Sequence, residues 1–458
     1  MEANRRGRGG QRGSRGFARG RGTWRGSSAF QQPVFDRPPS PAIGPLIETI
    51  KQGSLFSLDA AGKDALVISD CKFMASFNWM DSKEPTVMVP GMPPVWAPLA
   101  EPKQLQEDSG EYFRDQNAAR FPTYPMEPAV RALLAHETDL AVSEIDIFAC
   151  GSTLGSLLRF VRKVDKPFRF TVEVIGNTVF FVRRENTPDE RLIGVRGYGH
   201  AFPESYTKWH GEVKRSASHQ RLIRYIFAGL KCIVRFEGDG YLDSLAGEDT
   251  NSGVLADMPE VKGLTFQEGG RSIPQEAIFD LKTRSVKRKD VDVLAEELPR
   301  LWITQIPNFV LAFQERGIFH KNDTSVRDVR TEVDRWEMQS QRDLRMLEEL
   351  LHKLLKLVKS TPDGECEVRC REVGVLEVRS QLPDAPPALS PELCHIWTQM
   401  KGPSPPKSDD VAAVPGAHPG SSEDESADDG VDLASFSDDG SAGDLTACSA
   451  ACGYCGRC

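Results

Sequence analysis

Apolar positions recur along this chain with two different periods, and the switches between them outline a mixed α+β fold. FRFTVEVIGNTVFFVRREN (168–186) alternates β-branched and aromatic residues around Gly176-Asn177, which predicts a β-hairpin. Short strands are expected at SLFSLD (54–59), DALVISD (64–70), KCIVRFEGDGY (231–241) and AIFDLKTRS (277–285), with ECEVRCREVGVLEVRS (365–380) closing the core. Helical spacing takes over in MEPAVRALLAHETD (126–139), where Val130, Leu133 and Leu134 share a face. It is also expected at the end of IDIFACGSTLGSLLRFV (145–161), over 214–227, and beside an apolar run within 291–317. The strongest pattern spans 326–359, where Val329, Val333, Trp336, Leu347, Leu351, Leu354 and Val358 recur at three or four within each half. An interruption at Ser340 predicts a packed helix rather than a coiled coil.

Outside these stretches the pattern stops, which divides the chain into four parts. Residues 1–44 are an RG-rich arm with a Pro-rich linker, 45–400 a catalytic-type domain, 401–447 an acidic tail, and 448–458 a Cys-rich terminus. Within the domain, 243–272 is rich in Gly, Asp and Ser and reads as a loop insertion. Both tails have too little apolar surface to fold alone and are expected to be disordered. Charge follows the same division. The formal net charge of −9 on 458 residues averages +7 over 1–26, −6 over 27–407 and −10 over 408–458. The first segment carries Arg5, Arg6, Arg8, Arg12, Arg15, Arg19, Arg21 and Arg25, with Phe17 and Trp24 available to stack on bases. That composition favours contact with RNA over a merely solubilising tail.

No apolar run reaches the roughly 20 residues that span a bilayer, and no signal-peptide pattern opens the chain, so neither membrane insertion nor secretion is expected. Six scattered cysteines (Cys71, Cys150, Cys232, Cys366, Cys370, Cys394) read as reduced thiols of an intracellular protein. Cys448, Cys452, Cys455 and Cys458 form C-x3-C-x2-C-x2-C, for which a Zn²⁺ knuckle and a redox-sensitive cluster are both open readings.

The informative chemistry lies in three segments. Glu237-Gly238-Asp239 ends an apolar strand, and side chains two apart on a strand share a face. Asp280-Leu281-Lys282 repeats that spacing at a second strand, and Gln305 sits in the apolar stretch LWITQIPNFVLAF. Three carboxylates at neighbouring strand ends make a hard oxygen site suited to Mg²⁺ or Mn²⁺. Lys282 and Gln305 would then position water and a scissile phosphate. A basic run, KTRSVKRK (282–289), supplies Arg284, Lys287, Arg288 and Lys289, and Arg221 and Arg224 precede the acidic strand. These six are candidate RNA contacts, with a solvated loop or nuclear-import patch as the alternative reading of the run.

Taken in order, acid-x-acid, then acid-x-Lys, then a glutamine segment resemble PD-(D/E)XK-type nucleases. Within that class the chain resembles the DXO-type decapping and 5′-end quality-control exoribonucleases over roughly 45–400. The resemblance is carried by SLFSLD, FRFTVEVIGNTVFFVRREN, RYIFAGLKCIVRFEGDGY, DLKT and LWITQIPNF. It implies mixed sheets between helices and divalent-metal-dependent hydrolysis at RNA 5′ ends, with residence in the nucleus or also the cytoplasm. Glu237, Asp239 and Asp280 would be metal ligands, with Glu204 a further one, and Lys282 and Gln305 would be catalytic. The chain departs from the family pattern in four places. Asp280 replaces a longer glutamate, Gly197–Pro203 reaches an acid only at Glu204, Gly151-Ser152 occupies the place of an arginine, and 41 residues separate Asp239 from Asp280. The second reading is therefore an inactive RNA-binding scaffold that works through its arm and a protein partner.

Overall fold

A computed structural model describes residues 38–55, 64–137, 140–247 and 261–400. The RG arm, residues 248–260 of the expected loop insertion, the tail and the four terminal cysteines lie outside the described residues, and Thr265–Gly270 of that expected loop form a strand instead.

In chain order the strands are β1 Leu46–Lys51, β2 Ser69–Met80, β3 Thr86–Gly91, β4 Val95–Trp96, β5 Glu111–Phe113, β6 Ile147–Cys150, β7 Phe168–Ile175, β8 Thr178–Arg183, β9 Arg191–Ile193 and β10 Thr207–Lys208. They continue as β11 Ser216–Phe227, β12 Leu230–Glu237, β13 Gly240–Tyr241, β14 Thr265–Gly270, β15 Ile278–Ser285, β16 Asn308–Glu315, β17 Ile318–Asp328, β18 Glu365–Glu372 and β19 Val375–Arg379. The helices are α1 Gln116–Arg120, α2 Glu127–His136, α3 Gly151–Val161, α4 Ala201–Tyr206, α5 Val293–Thr304, α6 Arg330–Gln339, α7 Gln341–Ser360 and α8 Pro391–Gln399.

Eleven strands form one sheet in the order β1-β19-β18-β7-β8-β6-β12-β11-β2-β3-β14, and six form a second in the order β10-β4-β13-β15-β16-β17. The mixed α+β class expected from the sequence is what the structure shows. Strand alternation explains the layering. In β6, Ile147 and Ala149 face a core packed with α3, α5, α6 and α7, while Phe148 and Cys150 face a second core with α2 and α8. A smaller core joins Phe279, Leu281, Val310 and Phe319 of the second sheet to Phe202 and Tyr206 of α4.

The hairpin forms as read, with Gly176 at φ +63 in the turn between β7 and β8, and the long helical pattern breaks between α6 and α7 at Ser340. Three expectations are corrected. Residues 214–227 are not helical, because β11 pairs along its length with β12 on one side and β2 on the other. That double pairing uses its backbone groups and buries 218–223, so tertiary context overrides local spacing. The described part of SLFSLD ends a 3-10 turn, Gln52–Leu55, rather than a strand. In DALVISD the N–H groups of Leu66 and Ile68 donate to Gln341 Oε1 and Glu337 Oε1, so strand pairing begins only at Ser69.

None of the six described cysteines forms a disulfide. Among the described residues no helix is long and apolar enough to cross a membrane.

Candidate functional site

The acid-bearing strand β12 stops at Glu237. The N–H of Gly238 donates to the His219 carbonyl (3.0 Å), and the chain then crosses from the large sheet to the small one. Gly240 and Tyr241 pair antiparallel with Phe279 and Ile278 of β15. Only glycine fits at 240, since a Cβ there would stand 2.7 Å from the Pro94 carbonyl oxygen and overlap the Phe279 ring. Asp239 therefore sits at the crossing, and its Oδ2 accepts the Leu281 N–H at 2.7 Å. This places it beside Asp280.

All eight residues of β15 are buried, and their alternation separates two kinds of contact. Phe279 and Leu281 enter the small core. Asp280 (1% exposed), Lys282 (6%) and Arg284 (1%) occupy the alternate positions and meet α5. From that helix Arg300 donates to Asp280 Oδ1 at 2.5 Å and pairs with Oδ2 as well. Arg300 Nε also donates to Glu297 at 3.0 Å, while Lys282 lies 3.8 Å from Glu297. Arg284 reaches Glu297 at 3.5 Å and Glu296 at 3.8 Å. Three acids thus face three bases. Burial pushes the Asp280 carboxyl up from its ordinary range, Asp239 adds to this, and Arg300 and Lys282 oppose it.

The remaining predicted residues stand differently. Glu237 is half-buried, and its charge favours the protonated form of Arg120, which burial disfavours. Glu204 is exposed on α4, one of two acids that help hold the Tyr112 hydroxyl above its usual range, where burial is the larger cause. Gln305 ends α5 in the left-handed conformation at φ 50. Its Nε2 donates to the Trp302 carbonyl at 2.6 Å, which commits the amide to closing the helix. The α5 residue that meets Asp280 is Arg300, which sequence reading missed. Its signal was the i, i+3 pair Glu297–Arg300 at the helical spacing that places both on one face.

The basic run is partly tied up in ion pairs, with Lys287 and Lys289 exposed. Arg284 is buried in the network, Arg288 pairs with Glu296 at 3.3 Å, and Lys289 with Asp323 at 2.6 Å. Arg224 pairs with Asp70 at 2.6 Å. Arg221 is fully buried over the Phe73 ring, donating to Gln275 and to the Ile273 carbonyl. Lys287 follows in a 3-10 turn, its N–H donating to Ser285 Oγ.

Buried His219 lies behind the crossing with Nδ1 2.6 Å from Asn78 Oδ1 and Nε2 3.5 Å from an Arg221 nitrogen. Asn78 Oδ1 accepts and Arg221 donates, so the ring carries its proton on Nδ1 and stays neutral. Burial, then Arg221, hold its pKa well below the usual value. A lowered histidine pKa leaves the unfolded chain binding more protons, so stability falls as pH drops below about 6.5, the unfolded value. Urea melts between pH 7 and pH 5 should show this loss, and His219→Gln should flatten it by up to about 1.4 kcal/mol per pH unit. Superimposable pH profiles would refute the assignment.

Among the described residues no three carboxylate, imidazole or thiol groups converge closely enough to hold a metal ion. Arg300 holds both oxygens of Asp280. A divalent ion brought to about 4 Å from that guanidinium would be repelled on the order of 8 kcal/mol at an effective dielectric of about 20. The donor set does not fit Mg²⁺ or Mn²⁺.

The chain is similar to three solved structures. The chain is similar to Scheffersomyces stipitis Rai1 in complex with (3′-NADP)⁺ and calcium ion, at 12% identity and TM-score 0.50, over 75% of this chain and 98% of that one. It is similar to S. pombe Rai1 at 11% identity and TM-score 0.49, over 73% and 99%. It is also similar to K. lactis Dxo1 in complex with manganese at 8% identity and TM-score 0.42, over 74% and 98%. Against the S. stipitis structure, the resemblance carried by the motifs holds at the level of fold, for a divergent sequence. No curated protein matches in sequence. Residues 60–376, more than half of the chain, match one family, and the protein belongs to it: Domain of unknown function (DUF8563).

Proposed function

We propose that this protein recognises the 5′ ends of RNA on a DXO-type fold without metal-assisted hydrolysis. The observation that carries the reading is the ion pairing of Asp280 and Lys282. The two residues expected to do the chemistry are held by Arg300 and Glu297. The fold supports the ligand class, because the S. stipitis relative was solved with a nucleotide, (3′-NADP)⁺. The arginine-rich arm supports it independently through its affinity for phosphate. A protein partner and nuclear residence complete the proposal, with the arm supplying most of the contact to phosphate.

One observation favours a second reading, a metal-dependent hydrolase. Asp239 and Asp280 do meet at the ends of neighbouring strands with Lys282 beside them, and Arg300, with a side chain 30% exposed, lies at the rim. Incubating the full chain with 5′-triphosphate, NAD-capped and 5′-monophosphate RNA in Mg²⁺ or Mn²⁺ separates the two. Recognition predicts saturable binding that weakens for 5′-hydroxyl RNA, with every RNA recovered intact. Product formation that Asp239→Ala abolishes would establish the hydrolase. Absence of any preference for the 5′ end would remove both.

A further inference from the structure

We propose that Ser40 is a phosphorylation site for a proline-directed protein kinase, and that its phosphate docks on a row of arginines and fastens residues 38–45 to the large sheet. The inference stands apart from the 5′-end reading above. Strand register sets the row. Arg169 of β7 lies directly opposite Arg369 of β18, and its carbonyl accepts the N–H of Arg184, just past β8, at 3.4 Å. Like charges side by side on a sheet are destabilising unless anions lie among them. Fully buried Glu367 takes the Arg169 fork through both oxygens and lies 3.6 Å from Arg184 Nη1. Asp384 pairs with Arg184 Nη2 at 3.0 Å, and Glu377 is shared by Arg369 and Arg379. Four arginines thus meet three acids, and buried Arg184 Nη1 has no hydrogen-bond acceptor among the described residues. Burial, then Arg184 and Arg369, pull the Arg169 guanidinium down to about 10, and Asp384 opposes them.

Residues 38–45 run over this row. Arg169 Nη1 donates to Ser40 Oγ at 3.2 Å and to the Pro41 carbonyl at 2.8 Å, and its Nη2 donates to the Ala42 carbonyl at 2.8 Å. Asn186 holds the Pro38 carbonyl at 2.8 Å, and Arg379 holds that of Gly44 at 3.1 Å. Ser40 is exposed and followed by Pro41, the local pattern such a kinase reads. Of the four Ser-Pro or Thr-Pro pairs among the described residues, it is the one whose hydroxyl accepts from a guanidinium. The kinase transfers the γ-phosphoryl group of ATP: the bond to Ser40 Oγ forms as the bond to the ADP oxygen breaks, and the hydroxyl proton passes to the kinase's base. Phosphoserine brings a charge of about −1.5 to −2 and three acceptor oxygens. The Arg169 fork and the unmatched Arg184 Nη1 then supply charge-assisted hydrogen bonds.

Treating the full chain with a proline-directed kinase and ATP, followed by mass spectrometry, should place a phosphate on Ser40. In phosphorus NMR, the resonance that Ser40→Ala removes should titrate at least about one pH unit below the ordinary second pKa of about 6. Arg184→Gln should return most of that shift. Arg169→Gln alone would leave buried Glu367 unpaired, so the double variant Arg169→Gln/Glu367→Gln is the second probe of the row, with the same expected return. Hydrogen exchange of the amides over 42–46 should slow about tenfold on phosphorylation, as one added hydrogen bond to a charged group would give. A Ser40 that stays unmodified overturns the proposal. So does a phosphate that titrates at its ordinary value, or a shift that both arginine variants leave unchanged while melting cooperatively.

Discussion

Replacing Glu127 by alanine is expected to cost about 3–5 kcal/mol, a large part of the stability of a typical domain. Glu127 opens α2 and is fully buried with Arg131, whose Nε and Nη2 donate to its Oε1 at 2.9 and 2.8 Å. Its second role joins distant parts of the chain. Ser390, the N-cap of α8, donates its N–H to Glu127 Oε2 at 2.8 Å and its hydroxyl to Oε1 at 3.0 Å. The same hydroxyl accepts the Leu393 N–H, closing the first turn of α8. Alanine would strand a buried guanidinium and orphan a buried N–H at once, and each carries an unmet desolvation cost. Urea denaturation should therefore show a much lower midpoint for Glu127→Ala. The double variant Glu127→Leu/Arg131→Met should recover part of the loss, because it removes both charges together. A single-variant cost below about 1 kcal/mol would show that the pair does not anchor α8.

Deleting residues 1–26 is expected to weaken RNA binding strongly and to flatten its salt dependence. The arm contributes eight arginines, and each phosphate it neutralises releases counter-ions from the nucleic acid. For a single strand the slope of log affinity against log salt is about 0.7 per contact, so full engagement of the eight would account for up to about 6 units of slope. Of the six candidate contacts in the folded part, Arg221 and Arg284 are buried and Arg224, Arg288 and Lys289 pair with acids, which leaves exposed Lys287 as a lesser contributor. Binding measured by fluorescence anisotropy at 50 and 200 mM salt checks this. Equal affinity and equal slope for the full and truncated chains would refute the arm's role.

Much of the fold was legible because short-range periodicity carries it. The β7–β8 hairpin announces itself through alternation and a Gly-Asn turn, and α2, α3 and the α6–α7 pair through apolar spacing. The residues 214–227 misled for a physical reason. Strand β11 buries polar Ser218, His219, Gln220 and Arg221 between two neighbouring strands, so its sequence shows no clean alternation and reads as readily as a helix. Strands β2, β3 and β14 and helix α8 likewise went unread; β14 pairs with β3 across a long stretch of chain, and β2 with distant β11.

The candidate site divides along the same line. Sequence by itself singled out the candidate residues: two acids around Gly238, an Asp-Leu-Lys strand end and a cationic arm, within a mixed α+β fold. It brought Asp239 and Asp280, 41 positions apart, to one site only through the order of the motifs and the family they resemble. Only the tertiary structure decided what their charges do. The three-residue rise from Glu297 to Arg300 is visible in sequence, but its alignment against Asp280 depends on how α5 lies across β15. That packing turns an acidic motif into a neutral network, because a buried carboxylate takes whichever cation the fold brings within reach.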